Sequence, residues 1–532
     1  MTDRTVPRAA PTVHETHVST VFLIGDRAAK LKKPVRFPFL DLSTREARER
    51  MCHREVELNR RLTPDVYLGV FDIVGPDGTP CDHLVMMRRM PDARRLSYLV
   101  KCGTVPIGAL QTLAHVIASF HSRAESSDAI DEAGTRDRVA QRWETGFTEM
   151  VPLLESAPLL ESPETKALEN EIELRTRRYL AGREAMFAAR IEEGRVRDGH
   201  GDLLADDVFI LDDGPRILDC LEFDDGLRYG DVLADIAFLA MDLERLDAPE
   251  LADELLAFHR EYSADAYPET LAHQYIAMRA HIRAKVEAIR AGQGVPIAAE
   301  TSIKLLSLTV SHLRRTRVAL VLVGGAPGTG KSTLATGIAA AGDLVMLRSD
   351  EVRKDLAGMS RRERAGAELD RGIYSEEHTR ATYSELLDRT RALLEAGESV
   401  VLDASWADEE FRVAARELAR TTVSDLVELR CEVDEDVAAR RIRERARSGG
   451  DPSDVTPEIG ARISRRFDPW PSAIAIPTAG PLADATAVAV EAVRAADPVP
   501  RCDRSVPGGA TRAATYRDLQ PYRADRDART LT

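Results

Sequence analysis

No apolar run in this 532-residue chain reaches the roughly 18 residues that a membrane-spanning helix needs. The opening stretch, Met1-Thr-Asp-Arg-Thr-Val-Pro, lacks the charged and apolar regions of a signal peptide. Cysteine is sparse, and its six positions (52, 81, 102, 220, 431 and 502) show no C-x-x-C spacing. Neither a zinc site nor a disulfide framework is therefore expected. Together these absences point to a reducing, cytoplasmic setting without a membrane partner. Positive charge is also in deficit. With 73 Lys and Arg against 88 Asp and Glu, the formal charge of −15 argues against a nucleic-acid partner. Lysine is scarcer still, at nine of the 73 basic residues, yet Lys30, Lys32 and Lys33 cluster and Lys331 ends a glycine-rich stretch. An ammonium is a compact point charge that a planar guanidinium replaces poorly, which makes those positions candidates for specific contacts.

What is present is enough apolar residue, 44%, to build sizeable cores, and a length that suits two large domains. The text from Val18 to Ile24, a Gly25-Asp-Arg27 turn and Ala28–Lys33 read as a hairpin. Helical periodicity follows from Ser43 to Leu62, then strands near Tyr67–Val74 and Leu84–Met87. Mostly helical text fills the span to Arg195. Another hairpin is expected around Val208–Leu218, and long helices from Asp231 to about Val310. A new α/β unit begins at Arg317, with later strands at Val345–Leu347, Val400–Leu402 and Val427–Cys431. Strands alternating with helices imply a parallel sheet covered on both faces. The first dozen residues are expected to be untethered. From Asp497 the chain turns to Pro, Gly, Arg and Asp without periodicity and reads as a disordered tail. The organisation is thus 15–310, 316–495 and a tail at 496–532, with no internal repeat.

The most specific signal lies at the start of the second domain. A Val-rich run enters Gly325-Ala326-Pro327-Gly328-Thr329-Gly330-Lys331-Ser332-Thr333, a G-x-x-x-x-G-K-S loop between a strand and a helix. Glycines let the backbone curl and aim N–H groups at phosphate oxygens. The helix N-terminus adds partial positive charge. Lys331 reaches the β- and γ-phosphates, and Ser332 offers its hydroxyl to Mg²⁺. Binding of ATP or GTP is expected here. Asp403, ending the apolar run Val400–Leu402, is the candidate acid that holds Mg²⁺ through its water shell.

In the first domain the telling text is His200-Gly-Asp202-Leu, then Asp207, then Asp219 after a turn. Asp202 can accept the proton of an attacking hydroxyl. Asp207 and Asp219 can hold Mg²⁺ against nucleotide phosphates. Upstream, Lys30 or Lys32 could pair with the phosphates and Glu55 could anchor that lysine. The two lysines share a strand face, and Lys30 is the favoured one.

These residues resemble the aminoglycoside phosphotransferase and choline-kinase branch of the protein-kinase-like fold. The resemblance rests on His200-Gly-Asp-Leu, on Ile217-Leu-Asp219 and on the helix start Asp235-Ile-Ala-Phe238. His83-Leu-Val-Met86-Met-Arg-Arg-Met90-Pro resembles the hinge that meets adenine in that branch. One departure stands out: the family places Asn where this chain has Asp207. Oxygen ligation survives the change, but a negative charge is added beside Asp202 and Asp219.

Farther on, Ser349-Asp350-Glu-Val-Arg353 is similar to the acceptor element of small P-loop kinases such as gluconate kinase, and of polynucleotide kinases. That similarity implies Asp350 as base and Arg353 as the group orienting the acceptor. The Arg-dense stretch Val437–Arg447, with Arg441 and Arg445, resembles a lid whose arginine neutralises charge on the transferred phosphoryl group. The whole layout resembles the bacterial bifunctional aminoglycoside phosphotransferase/ATP-binding protein family. It implies a mixed α/β and α+β chain using ATP and Mg²⁺ to phosphorylate a hydroxyl of a small molecule. The acidic balance suits a cationic or neutral polyol acceptor. Two alternatives stay open: only one module turns over, or the chain is a nucleotide-dependent switch with a degraded N-terminal kinase fold.

Overall fold

A computed structural model describes residues 12–16, 18–37, 40–360, 372–448 and 457–499. The chain forms two compact units that do not follow one another simply in sequence. The first comprises residues 1–142, 188–267 and 275–286, and the second 143–187, 268–274 and 287–532.

The first unit carries a five-stranded antiparallel sheet. Its strand order is Thr12–Glu15, Ser19–Ile24, Arg27–Lys32, Pro80–Arg88 and Tyr67–Val74. The outermost strand, Thr12–Glu15, is fully exposed, and its alternation is too short to be read from sequence. The helix Arg45–Asn59 starts at Thr44, whose hydroxyl accepts from the Ala47 N–H. It buries Cys52 and Val56 against Ala28, Val85 and Met87 of the sheet. The segment His83–Arg88 of the expected hinge is paired as the sheet's second-to-last strand, and Arg89–Pro91 lie beyond it. Beyond it comes a mostly helical part with Ala109–Arg123, Val232–Arg245 and Pro249–Ser263. A small hairpin pairs Val208–Leu211 with Gly214–Ile217, its turn falling at Asp212-Asp213.

The second unit is built on a five-stranded parallel sheet. Its order is Val345–Arg348, Val400–Asp403, Ala319–Gly324, Asp425–Glu432 and Ile474–Pro477. All six residues of Ala319–Gly324 are buried, as a central strand covered on both faces requires. Ile474–Pro477 is an edge strand of four residues that sequence periodicity does not reveal.

Two helices from earlier in the chain belong to this unit, Pro163–Ala181 and Ala298–Arg315. Charge fixes them. Buried Glu171 takes Arg175 at 2.7 Å and Arg314 at 2.8 Å. Arg175 continues to Asp497 at 2.8 Å, and Asp425 at the base of the sheet takes Arg178 and Arg317 at 2.5 and 2.7 Å. Asp497 and Val499 are therefore packed; the remainder of the expected tail, 500–532, lies outside the described residues. No helix among the described residues is long and apolar enough to cross a membrane.

All three tryptophans, Trp143, Trp406 and Trp470, fall in this unit. Their fluorescence therefore reports its unfolding alone. Asp425→Ala strips Arg178 and Arg317 of their shared carboxylate and is expected to lower stability by about 2 kcal/mol. The check is the shift of the urea midpoint in tryptophan fluorescence at unchanged slope.

Candidate active sites

In the first unit, strand alternation puts Lys30 and Lys32 on the face covered by the helix Arg45–Asn59. Glu55 on that helix is fully buried. Its Oε1 lies 2.9 Å from Lys30 Nζ and its Oε2 2.6 Å from Lys32 Nζ. The lysines then diverge: Lys30 reaches Asp219 Oδ1 at 2.7 Å, and Lys32 reaches Glu222 Oε1 at 2.5 Å. Burial alone would push the Glu55 carboxyl up, but Lys30 and then Lys32 reverse this and hold it below its usual range. Lys30 likewise holds the Asp219 carboxyl low. Asp219 sits at φ +63°, a left-handed conformation costing a non-glycine residue about 1 kcal/mol. Its N–H donates to Tyr67 Oη at 3.1 Å, which helps fix that conformation.

The loop carrying Asp202 is held from below by Asp235. That carboxylate accepts from the backbone N–H of His200 at 2.7 Å and of Gly201 at 2.9 Å. His121 Nε2 lies 3.0 Å from it. Burial would raise the Asp235 carboxyl, but the His121 hydrogen bond and the two histidine charges keep it well below the ordinary range. His200 Nε2 donates to the Leu218 carbonyl at 3.1 Å, tying the loop to the strand end that bears Asp219.

Burial pushes the Asp202 carboxyl up to about 6, with Arg283 and Arg279 opposing and Asp219 and Asp242 adding. Burial also drives Asp207 well above its ordinary value, and Asp219, Asp202 and Asp206 add repulsion. Carboxylates this close, with Asp219 raising the proton affinity of both Asp202 and Asp207, are a donor set suited to a divalent cation. Asp207 and Asp219 are the residues that would hold it. Among the described residues no cluster of three or more His, Cys, Asp or Glu has metal-binding geometry. Phosphate oxygens and water would have to complete such a site, as magnesium usually requires.

In the second unit the helix Lys331–Gly342 starts directly from the glycine loop, with Gly330 at φ +94°. Gly328 has φ +82°, and a Cβ there would lie 2.6 Å from the Ala438 carbonyl oxygen. Any side chain is thus barred on two counts. Thr329 donates its hydroxyl to the Ala326 carbonyl at 2.8 Å, and Lys331 Nζ donates to the same oxygen at 3.0 Å. A cleft of about 620 Å³ opens beside the loop, lined by Gly325, Ala326, Thr329, Glu432, Phe467 and Pro477 among others. Arg441 donates to the Thr478 carbonyl at 2.7 Å, and a Cβ on Gly330 would lie 3.5 Å from its guanidinium. The side chain of Arg445, the other lid candidate, lies outside the described residues.

Asp403 ends the strand next to the loop strand, paired in register with Val323. It is buried, and Arg348 Nε reaches it at 3.2 Å. Asp350 is partly exposed, 3.5 Å from the buried Lys354 ammonium. Arg353 is engaged elsewhere: it donates to the Ile373 carbonyl at 2.8 Å and Thr379 Oγ1 at 3.1 Å, and lies over the Tyr374 ring. Burial lowers its pKa, countered by Tyr383, Tyr374 and Asp350. Its place is therefore under the segment 372–379.

The structure thus joins Lys30, Lys32, Glu55 and Asp219 in one network and sets Asp202 and Asp207 within its field. It also sets Lys331, Ser332 and Asp403 at the same end of the parallel sheet. Four groups escaped the sequence reading: Glu222, Arg348, Thr478 and the cradle role of Asp235. Only Glu222, three residues past Asp219, left a spacing that could have flagged it.

These features define the class. The first unit sets an antiparallel sheet beside a mostly helical part, and the second carries a glycine-rich phosphate loop at the head of a helix on a parallel sheet. The AAA domain family model matches residues 320–470. The chain belongs to the family of the uncharacterised protein Rv2004c of Mycobacterium tuberculosis H37Rv. The two are 44% identical over 469 residues, 88% of this chain and 92% of that protein. Solved structures similar to parts of it include a gluconokinase from Sinorhizobium meliloti 1021, with TM-score 0.26 and 19% identity over 34% of this chain and 94% of that one. Another is the GDP complex of aminoglycoside 2′-phosphotransferase-IIIa, with TM-score 0.35 and 14% identity over 58% of this chain and 95% of that one.

A base that titrates near 6 is protonated below that value and competent above it. Turnover that depends on Asp202 is expected to rise with pH through about 6 and then level. The check is the pH profile of kcat/KM for full-length Lys331→Ala, in which the P-loop unit is silenced.

Proposed function

We propose that this protein is a phosphotransferase that uses ATP and Mg²⁺ to phosphorylate a hydroxyl of a small molecule, with a nucleotide site in each unit. The observation carrying this reading in the first unit is the chain Glu55–Lys30–Asp219, at 2.9 and 2.7 Å, formed in one piece with the loop of Asp202. In the second unit the support is the glycine loop at the N-terminus of its helix, open to a nucleotide-sized cleft.

When bound, Mg·ATP supplies the transferable phosphoryl group and neutralises its charge. Everything else falls to the chain. Lys30 and Lys331 would meet phosphate oxygens. Asp202 and, in the second unit, Asp350 accept the proton of the attacking hydroxyl. Asp403 and Ser332 would hold the metal in the P-loop unit, and Arg348 Nε lies 3.2 Å from Asp403. Asp207, standing where the family has Asn, supports a second reading in which only the P-loop unit turns over.

The test is acceptor-dependent ADP release over sugars, polyols, amino alcohols, nucleosides and aminoglycosides, with wild type beside Asp202→Ala and Lys331→Ala. Each variant is expected to lose its own unit's share by about 100-fold or more. Loss confined to Lys331→Ala would support the second reading. Nucleotide binding without turnover on any acceptor would replace both with a switch.

A further inference from the structure

Two lysines meet Glu55, but only one of them has a way out. The Lys32 side chain keeps 1% of its surface and its far partner Glu222 keeps 12%. Lys30 keeps 13%, and its far partner Asp219 is half-exposed. The Lys32–Glu222 side of the network is therefore sealed, and the Lys30–Asp219 side is open. The contacts also differ in kind. Lys30 donates a hydrogen bond to Asp219 Oδ1 at 2.7 Å, and Lys32 donates one to Glu222 Oε1 at 2.5 Å. Neither Glu55 oxygen accepts an aligned hydrogen bond, although an ammonium lies within 3 Å of each. Glu55 thus holds both lysines as a charge, while each lysine points its N–H elsewhere.

Burial would lower the pKa of Lys30, but Asp219 and then Glu55 raise it well above its ordinary value. Asp219 is the stronger of these two partners, and it is the one a metal would claim. What Lys30 can then offer a phosphate depends on Glu55. A buried carboxylate met by Lys30 alone would offset most of the ammonium's charge and hold the side chain back. A carboxylate already met by Lys32 leaves that charge to act outward, and the like charge of Lys32 drives Lys30 toward the open side. Glu222 in turn offsets Lys32, which has no water to do so.

We infer that Lys32 is a positioning residue: backed by Glu222, it takes up the buried charge of Glu55 so that Lys30 can pass from Asp219 to a nucleotide phosphate. Lys32 itself is too enclosed to touch the nucleotide. This rests on the phosphotransferase reading of the first unit.

The experiment is calorimetric binding of a non-hydrolysable ATP analogue with Mg²⁺, and separately of adenosine, to the full chain carrying Lys331→Ala to silence the P-loop. Lys32→Met is combined with Glu222→Gln, so that one charge of each sign is lost and the net charge stays the same. This pair variant is expected to bind the analogue about tenfold more weakly. Adenosine, which has no phosphate, should bind it as it binds the parent. Glu222→Gln alone leaves Lys32 undivided to Glu55 and should bind the analogue at least as tightly as the parent. Analogue binding unchanged in the pair variant would overturn the inference. Equal loss of analogue and adenosine would do the same, since Lys32 would then only hold the fold, and so would tenfold weakening in Glu222→Gln alone. Lys30→Met separates the two readings. If it abolishes analogue binding while the pair variant does not weaken it, only the role of Lys32 falls. If it leaves analogue binding intact, the kinase reading of the unit falls as well.

Discussion

Glu55 is the constraint on which the first unit turns. A carboxylate with no exposed surface is tolerable only if its charge is met, and here two ammonium groups meet it, one at each oxygen. One lysine runs on to Asp219 and the other to Glu222, so the helix, the antiparallel sheet and the segment bearing Asp219 are held by a single charge chain. Removing either lysine takes away one of the two charges that meet the buried carboxylate. The scarcity of lysine elsewhere makes the spending of two at this point informative. An ammonium satisfies two carboxylates through one small nitrogen, whereas a guanidinium fork would demand a planar arrangement that this corner does not offer.

The second unit solves a related problem differently. Its glycine loop is shaped by steric exclusion. Gly328 lies so close to the Ala438 carbonyl that only a hydrogen fits. Thr329 and Lys331 both donate to the one Ala326 carbonyl, which sets the curl. The acid at the neighbouring strand end is kept company by Arg348.

Much of this was legible in the sequence, for identifiable reasons. The fold class followed from strands alternating with helices and from the glycine loop, both local patterns. Lys30, Glu55 and Asp219 could be named because short motifs carry them, although their meeting is a fact of three dimensions. What stayed hidden depends on long-range pairing. Thr12–Glu15 and Ile474–Pro477 are four-residue edge strands, too short for periodicity to show. Much of the text expected as a hinge pairs within a sheet, which its apolar composition alone does not show. Arg353 carries the right spacing for an acceptor element, yet its partners lie on the segment 372–379, a placement spacing cannot give. Asp207 sits where its charge is shifted by burial and by three other carboxylates, a field that no reading of one residue type can supply.

The interleaving of the second unit has a consequence for synthesis. Its helix Pro163–Ala181 leaves the ribosome long before Asp425 and Asp497, the carboxylates that satisfy Arg178 and Arg175. At usual translation speeds the wait is roughly 15 to 60 s. Throughout it Arg178 lacks Asp425, Arg175 has only Glu171 of its own helix, and the helix has no sheet to cover, while the intervening residues of the first unit are already emerging. The nascent chain must therefore keep an early segment uncommitted while the middle of the chain folds. Charged side chains on that helix, soluble when unpaired and ordered only when their partners arrive, are well suited to the delay.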